Sequence, residues 1–190
     1  MTKRDPITAI ILAGGRSTRM QADKAQLLWR GRPFIEHIIE RLQPQVDAIA
    51  INCNEQDLYR HFNIPLLPDP FAQRRGPLAG ILAGLHFSAT PLTLFVPCDN
   101  PLLAPDLVQR CHDALNNADL VYARSGGNNH YLYALMRSYL RDSAADYLQQ
   151  GDFAVHRWYA TQHCHAVDFD DSPEYFRNFN RPEDLLLLPQ

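Results

Sequence analysis

The chain has 190 residues, of which 46% are hydrophobic and 21% are charged, with 18 Lys and Arg against 21 Asp and Glu. That composition excludes a disordered chain, and the formal net charge of −3 argues against a nucleic-acid-binding protein. At roughly 150 residues per domain, the length indicates one domain. No apolar run approaches the ~18 residues of a membrane span, and no long apolar segment follows the N-terminus. We therefore expect a cytoplasmic protein without a signal peptide or membrane association.

The first half of the sequence alternates short apolar runs with segments of helical periodicity. Residues 7–13 are mostly apolar, include several β-branched side chains and precede Gly14-Gly15, which predicts a buried strand. Pro33 begins a predicted helix with apolar residues at helical spacing, and Pro44 ends it. The further strands predicted in this half are residues 46–53, 66–67 and 92–96. The further helices predicted are residues 77–87 and 105 to about 117.

The second half continues this alternation less regularly. Its predicted strands are residues 120–123, 131–136 and 166–169. Its predicted helices are residues 138–149 and 154–161, with a last short helix beginning at Pro182. Strands that alternate with helices predict right-handed βαβ units. We therefore expect residues 1–190 to form one α/β domain: a three-layer α/β/α sandwich, Rossmann-like, with a mostly parallel sheet.

The loop after the first predicted strand has the composition of a phosphate-binding loop. Gly14 and Gly15 permit close backbone approach and leave N–H groups for phosphate oxygens. Arg16, Arg19 and Lys24 add three cations, a number that suits a triphosphate. The spacing matches neither the dinucleotide-binding GxGxxG pattern nor the P-loop pattern. A glycine turn with solvated charges is the alternative interpretation.

A carboxylate follows the fourth predicted strand, in the run Pro97-Cys98-Asp99-Asn100-Pro101. Mg²⁺ typically binds one or two carboxylates together with substrate phosphates, so Asp99 is a candidate Mg²⁺ ligand. The flanking prolines restrict the backbone and fix the direction of Asp99. The alternative is that Asp99 caps a helix.

The four cysteines and the run His163-Cys164-His165 are expected to have structural roles. Cys53, Cys98 and Cys111 lie in no CxxC pair, and neither does Cys164, so small buried side chains are the expected role. The run His163-Cys164-His165 would place both imidazoles on one face of a strand. It lacks a third ligand at a standard zinc spacing, and we expect no metal there.

Several segments together resemble a known family. Residues 12–24, with Leu27 and Gly31-Arg32-Pro33, resemble the signature loop of the glycosyltransferase-like nucleotidyltransferases, which have the nucleotide-diphospho-sugar transferase type of fold. The molybdenum cofactor guanylyltransferases are the branch that the chain resembles most. The other segments that carry the resemblance are residues 76–80, 97–101, 165–169 and 179–185.

The resemblance implies transfer of GMP from GTP to molybdenum-molybdopterin, giving the guanine dinucleotide cofactor and pyrophosphate. It implies nucleotide binding in residues 7–100 and acceptor binding in residues 101–190. The implied catalytic residues are Arg19, Lys24 and Asp99, with Asp99 holding Mg²⁺. The implied nucleotide-binding residues are Leu12, Ala13, Gly14, Gly15, Lys24, Asn52, Asp69 and Asp99. The implied acceptor-binding residues are Gly76, Pro77, Gly80 and Asn180. Transient contacts with molybdenum-insertion proteins and apo-molybdoenzymes are implied as well.

One residue and one segment depart from the family pattern. Other functions therefore remain as alternatives. Gln21 stands where the family usually has glycine, and residues 128–132 lack the usual His-Pro turn. A CTP-dependent nucleotidyltransferase, or one with another phosphorylated acceptor, would use the same loop and Asp99. A nucleotide-binding cofactor-delivery protein without catalysis is the third possibility, although retention of Lys24 and Asp99 argues against it.

Overall fold

A computed structural model of the chain describes residues 4–14, 24–71 and 76–177, together with residues 179, 184, 186 and 188. Seven strands in these ranges form one sheet in the order β5-β4-β1-β6-β8-β7-β9. The strands are β1 (Ile7–Leu12), β4 (Ala48–Asn52), β5 (Leu66–Leu67), β6 (Leu92–Pro97), β7 (Leu120–Ser125), β8 (Asn128–Arg137) and β9 (Cys164–Asp168). A separate two-stranded ribbon pairs β2 (Leu28–Trp29) with β3 (Arg32–Pro33).

The sheet is mostly parallel, as the alternation of elements predicts. β5, β4, β1 and β6 run parallel to one another, and β9 runs parallel to β7. β8 is antiparallel to both of its neighbours, β6 and β7. All six residues of β1 are buried, because helices cover both faces of the sheet, and this explains the uninterrupted apolar run.

Helices on the two faces give the three-layer architecture. α1 (Phe34–Leu42) and α3 (Leu107–Leu115) supply apolar residues to one core. α2 (Pro77–Phe87), α4 (Arg141–Gln149) and α5 (Val155–Tyr159) supply a second core on the opposite face. None of the helices in the described part of the chain is long and apolar enough to cross a membrane.

The observed boundaries differ from the predicted ones mainly at turns. α3 begins at Leu107, because Pro105 and Asp106 form a turn before it. β8 begins at Asn128 instead of residue 131, since Gly126 and Gly127 adopt the positive φ angles of a tight hairpin turn. The β2–β3 ribbon has strands of two residues, too short for a periodic signal. The predicted helix at Pro182 lies outside the described residues.

β8 contains a bulge beside the carboxyl end of β6. Tyr122 of β7 pairs with Ala134 of β8, whereas the next residue, Ala123, pairs with His130. The three intervening residues of β8, 131–133, therefore have no partner on β7. Bulges of this kind redirect side chains and are frequent beside active sites.

The four cysteines are free thiols, and His163 and His165 each contact a backbone carbonyl. Cys53 and Cys111 are buried, and all four cysteines are free thiols. Burial raises the pKa of Cys111 to about 12, so its thiol stays protonated. The His163 ring contacts the carbonyl of Asn117, which follows α3. The His165 ring contacts the carbonyl of Ala114, in the last turn of α3.

Gly84 tests how tightly α2 packs on the sheet. A Cβ at Gly84 would lie 2.7 Å from Cγ1 of Ile10 and 2.7 Å from Cε1 of Phe95, and both side chains are fully buried. Overpacking lowers the free energy of unfolding by about 1–3 kcal/mol. The better helix propensity of alanine raises it by about 1 kcal/mol. The difference is about 0–2 kcal/mol, and we expect Gly84→Ala to lower the free energy of unfolding in urea by about 1 kcal/mol.

His86→Ala is the matched control, because His86 lies at an exposed position of the same helix. It should change the free energy of unfolding by less than about 0.5 kcal/mol. A Gly84→Ala protein as stable as the parent would show that α2 lies farther from β1 and β6.

Candidate active site

The predicted site residues lie where four parallel strands end. Leu12 of β1 is level with Asn52 of β4 and with Pro97 of β6, and Asn52 is level with Leu67 of β5. The segments that follow these strands therefore meet at one edge of the sheet. Ligands of open α/β sheets bind at this carboxyl edge.

Asn52 is a buried polar side chain at this edge that makes two hydrogen bonds. It is 2% exposed, and its Nδ2 donates to the Leu67 carbonyl at 3.1 Å and to Oδ1 of Asp69 at 3.0 Å. Its own carbonyl accepts a hydrogen bond of 2.8 Å from the N–H of Ala13. One residue thus connects the ends of β1 and β5 with the carboxylate of Asp69.

Asn54 is a site residue that the sequence analysis missed. Its Nδ2 donates to Oδ2 of Asp69 at 2.9 Å, and its Oδ1 accepts from the Asp69 N–H at 3.0 Å. Both oxygens of Asp69 therefore accept amide hydrogen bonds, one from Asn52 and one from Asn54. The Asn-Cys-Asn spacing at the end of β4 is the signal that could have indicated this pair.

Two glycines enclose the Asn52 side chain. A Cβ at Gly14 would lie 3.4 Å from Asn52 Oδ1 and 3.7 Å from Asp69 Oδ2. A Cβ at Gly80 would lie 3.0 Å from Leu12 Cδ2 and only 2.2 Å from Asn52 Oδ1. The second distance is too short for any real contact. Gly80 is buried, so it serves the packing of α2 against the predicted nucleotide-binding residues. The acceptor-binding role that the resemblance implies for Gly80 stays a prediction.

Gly76 and Pro77 begin α2 at the same edge and are exposed. Gly76 precedes the helix with φ 66°, a conformation that favours glycine, and Pro77 occupies the first turn, where no N–H is needed. A Cβ at Gly76 would lie 3.8 Å from the carbonyl oxygen of Phe153. The start of α2 therefore adjoins the segment before α5, in the half of the chain predicted to bind the acceptor.

Asp99 is half-buried in the turn that follows β6. It does not cap α3, which begins only at Leu107. The buried side chain of Asn100 fixes the turn, since its Nδ2 donates to the Tyr175 carbonyl at 2.6 Å and its Oδ1 accepts from the Leu102 N–H at 2.8 Å. The Asp99 carbonyl also accepts from the Phe179 N–H at 3.2 Å. Sequence analysis missed the anchoring role of Asn100.

Tyr133 of β8 lies buried near this turn. Burial raises the pKa of Tyr133 well above its ordinary value, and the negative charge of Asp99 raises it further. The neighbouring Asn100 side chain offsets part of the rise. Tyr133 is therefore a neutral hydroxyl at every pH at which the protein would be assayed.

The donor set at this edge fits a hard divalent cation that is shared with substrate. Among the described residues, no group of three or more His, Cys, Asp or Glu side chains could hold a metal ion. Mg²⁺ usually binds one or two carboxylates and takes other ligands from phosphate oxygens and water, so a single carboxylate such as Asp99 suits it.

Part of the predicted site lies outside the described residues. Gly15, Arg16, Arg19, Gln21 and Asn180 belong to this part, as does the side chain of Lys24. Among the others, Leu12, Ala13, Gly14, Asn52, Asp69 and Gly80 come together in one contact group. Asp99 lies at the end of the adjoining strand, β6.

Known proteins match the chain over nearly its whole length. A family profile described as the MobA-like NTP transferase domain matches residues 9–167. A molybdenum cofactor guanylyltransferase of Pasteurella multocida is 39% identical over 182 residues, which are 94% of this chain and 96% of the relative. One of Yersinia pestis is 38% identical over 186 residues, or 97% and 95% of the two chains.

Solved structures share the fold at lower identity. Molybdopterin-guanine dinucleotide biosynthesis protein A of Archaeoglobus fulgidus superimposes with a TM-score of 0.80 at 20% identity, covering 95% of each chain. The 4-diphosphocytidyl-2C-methyl-D-erythritol synthase of Anaerococcus prevotii has a TM-score of 0.75 at 14% identity, covering 96% of this chain and 94% of that one. At these identities the likeness concerns the fold alone.

Gly80 provides a test of the contact group around Asn52. Because a Cβ at residue 80 would collide with Asn52, Gly80→Ala should displace its amide and break the hydrogen bonds to Leu67 and Asp69. We expect GTP to bind on the order of tenfold more weakly, the effect of losing one or two hydrogen bonds. Titration calorimetry would measure this affinity.

Gly84→Ala is the matched control, since it adds the same methyl group to the same helix, one turn after Gly80 and in contact with Ile10 and Phe95 instead of Asn52. It should destabilise the fold without changing the affinity for GTP. Equal GTP affinities in Gly80→Ala and Gly84→Ala would show that the position of Asn52 does not determine nucleotide binding.

Proposed function

Because the chain belongs to the MobA-like NTP transferase family, we propose that it transfers GMP from GTP to a molybdopterin-type acceptor. The products are the guanine dinucleotide form of the cofactor and pyrophosphate. The observation that carries the proposal is the joint position of residues 12–14, Asn52, Asp69 and Asp99 at one carboxyl edge. The relatives named guanylyltransferase at 38–39% identity support the choice of guanine.

The nucleoside would bind on the side of β1 that faces β4 and β5. There a Cβ at residue 14 would be in ordinary van der Waals contact with Asn52 and Asp69, so the end of β1 lies beside both side chains. The hydrogen bonds from Asn52 and Asn54 hold the Asp69 carboxylate in one orientation. Such fixed groups can contact a nucleoside without paying an ordering cost on binding.

The chemistry needs charge neutralisation rather than a protein base. The attacking group is a terminal phosphate oxygen of the acceptor, which is already anionic near neutral pH, so no proton has to be removed. That oxygen forms a bond to the α-phosphorus of GTP, and the bond from this phosphorus to the bridging oxygen of pyrophosphate breaks. The protein's task is to align the two anions and stabilise the leaving group.

Arg19, Lys24 and Asp99 would carry out this task. The two cations would neutralise phosphate oxygens, and the Asp99 carboxylate would hold Mg²⁺ beside them. When bound, Mg²⁺ supplies positive charge to the phosphate oxygens and stabilises the charge that develops on them. The role of Asp99 is to fix where that charge lies, and the anchored turn at Asn100 keeps its backbone in place.

The acceptor would bind beside the nucleotide, between the start of α2 and the segment before α5. We propose that exposed Gly76 and Pro77, together with Asn180, contribute to its binding, and that residues 101–190 form this half. Transient contacts with molybdenum-insertion proteins and apo-molybdoenzymes, and a cytoplasmic location, belong to the same proposal. CTP is the competing nucleotide, because solved structures of the same fold include a synthetase described in complex with CTP.

A transfer assay with GTP and CTP in parallel tests the proposed function. We expect release of pyrophosphate and formation of the guanine dinucleotide only when GTP and molybdenum-molybdopterin are both present. Preference for CTP would instead make the chain a cytidylyltransferase. Binding of GTP without pyrophosphate release would indicate a cofactor-delivery protein.

Asp99→Asn tests the proposed ligand of the cation. The substitution keeps the shape of the side chain and removes its negative charge, so the cation should bind more weakly. We expect GMP transfer to fall at least about 100-fold, as when one preorganised electrostatic contact to a transition state is lost. High Mg²⁺ or Mn²⁺ should restore part of the activity, and the melting temperature should stay nearly unchanged.

Asp106→Asn makes the same change of charge at an exposed position before α3 and should leave GMP transfer unchanged. A destabilised but fully active Asp99→Asn protein would refute the assignment of Asp99 to the cation.

A further inference from the structure

Aromatic rings from three elements meet at the start of β8. The centroid of the Tyr131 ring of β8 lies 4.8 Å from that of the Tyr122 ring of β7. It lies 6.0 Å from that of the His156 ring of α5, and it meets the Tyr159 ring edge-on at 5.9 Å. Tyr131 takes part in all three contacts. We call Tyr122, Tyr131 and His156 the aromatic platform, and Tyr159 is its buried support.

The platform rings keep part of their surface open, whereas their support does not. Tyr159 is 1% exposed, but Tyr122 and Tyr131 are half-buried and His156 is exposed. A ring that serves only the core would be covered as Tyr159 is. Apolar surface that is grouped in one place on a protein is typical of a contact site for a ligand or a partner.

The bulge in β8 takes Tyr131 out of the regular sheet. The pairing of β6 with β8 ends at Ala134, and residues 131–133 have no partner on β7. The Tyr131 carbonyl instead accepts a hydrogen bond of 3.0 Å from the Tyr159 hydroxyl. At the tip of the ring, the Tyr131 hydroxyl accepts from Nδ2 of Asn129 at 3.0 Å. Both the backbone and the ring are held in place, so a ligand that stacks on the ring has little freedom to remove.

The platform adjoins the proposed acceptor-binding region. A Cβ at Gly76 would lie 3.8 Å from the carbonyl oxygen of Phe153, and His156 follows three residues later in the first turn of α5. The start of α2, the segment before α5 and the platform are therefore neighbours. Tyr131 also belongs to residues 128–132, the segment in which this chain departs from the family pattern.

The platform and the contact group around Asn52 lie on the same face of the sheet but apart. Asn52 meets α2 at Gly80, and Tyr131 packs on the core to which α2 contributes. Asn52 belongs to β4 and Tyr131 to β8, with β1 and β6 between them. Three strand spacings correspond to about 14 Å. A nucleoside beside Asn52 and Asp69 would therefore not cover the platform, whereas the second ring system of a dinucleotide, beyond the bridging phosphates, would reach it.

We propose that the aromatic platform binds the planar pterin ring system of the acceptor, which stacks on Tyr131. The inference rests on the proposed function, which supplies this acceptor. Planar nitrogen heterocycles stack on tyrosine and histidine rings through their π faces, without needing a matched set of hydrogen bonds. The platform would fix the pterin while the terminal phosphate of the acceptor extends towards the α-phosphorus of the nucleotide.

Tyr131→Leu and Tyr131→Phe test the stacking contact. We expect Tyr131→Leu to raise the dissociation constant of molybdenum-molybdopterin about tenfold, as when one stacked aromatic ring is lost. Equilibrium dialysis without nucleotide would measure this constant. Tyr131→Phe keeps the ring and should bind the acceptor as the parent does. The affinity for GTP, measured by titration calorimetry, should be unchanged in both variants and shows that they are folded.

Tyr139→Leu is the matched control. Tyr139 is 58% exposed and lies just beyond Arg137, the last residue of β8, at the opposite edge of the sheet. The same loss of an aromatic ring at this position should leave the dissociation constant of molybdenum-molybdopterin unchanged.

A measurement on the unsubstituted chain avoids any effect of a substitution on folding. In protein labelled with 3-fluorotyrosine, the fluorine resonance of Tyr131 is identified as the one missing from Tyr131→Phe. The ring current of a stacked pterin should shift this resonance when molybdenum-molybdopterin is added. GTP alone should not shift it, and a shift with GTP alone would assign the platform to the purine and overturn the inference.

Equal acceptor binding by Tyr131→Leu and the parent, or a Tyr131 resonance that the acceptor does not move, would also overturn the inference. Either result leaves the proposed function intact, because the parent would still bind the acceptor. A parent protein that binds no molybdenum-molybdopterin would instead contradict the proposed acceptor, and this inference with it.

Discussion

The candidate site depends on the hydrogen bonds that the buried amide of Asn52 makes. A polar group at 2% exposure must find its partners inside the protein, and Asn52 finds them in the Leu67 carbonyl and the Asp69 carboxylate. These bonds fix the segment after β5 against the end of β4. The same side chain fills the space where residue 80 would carry a Cβ, so it also sets how closely α2 can approach the sheet.

The candidate site lies at the change from parallel to antiparallel pairing. On one side of β6, the parallel strands β1, β4 and β5 end together and bring their loops to one edge. On the other side, β8 runs in the opposite direction and reaches this edge with its first residues. Asp99 thus lies between the contact group around Asn52 and the bulged start of β8. The residues predicted to bind the nucleotide and the cation therefore lie close together at one edge of the sheet.

The segment near the C-terminus completes the Asp99 turn. The carbonyl of Tyr175 and the N–H of Phe179 bond to Asn100 and Asp99, although these residues are far apart in the sequence. The Phe179 ring packs edge-on against Phe34 at the start of α1, with 6.0 Å between centroids. Apolar packing therefore holds the segment whose backbone positions the turn.

The sequence by itself predicted the fold class and which residues end the strands at the carboxyl edge. Runs such as residues 7–13 are readable because a strand covered on both faces needs apolar residues at every position. The residues after these strands could be grouped because parallel strands present their carboxyl ends at one edge. Leu12, Asn52 and Asp69 come together for this reason, and α2 occupies the predicted residues 77–87.

Only the tertiary structure decided which side chains hold the site together. The roles of Asn54 and Asn100 come from partners distant in sequence, so the short motifs that contain them do not reveal what they bond to. The place of Gly80 against Asn52 depends on the closeness of a helix to a strand, which a sequence pattern does not contain. The bulge in β8 is likewise a property of pairing between strands. Local order along the chain is set by backbone preference and burial, whereas the geometry of the site is set by packing between elements.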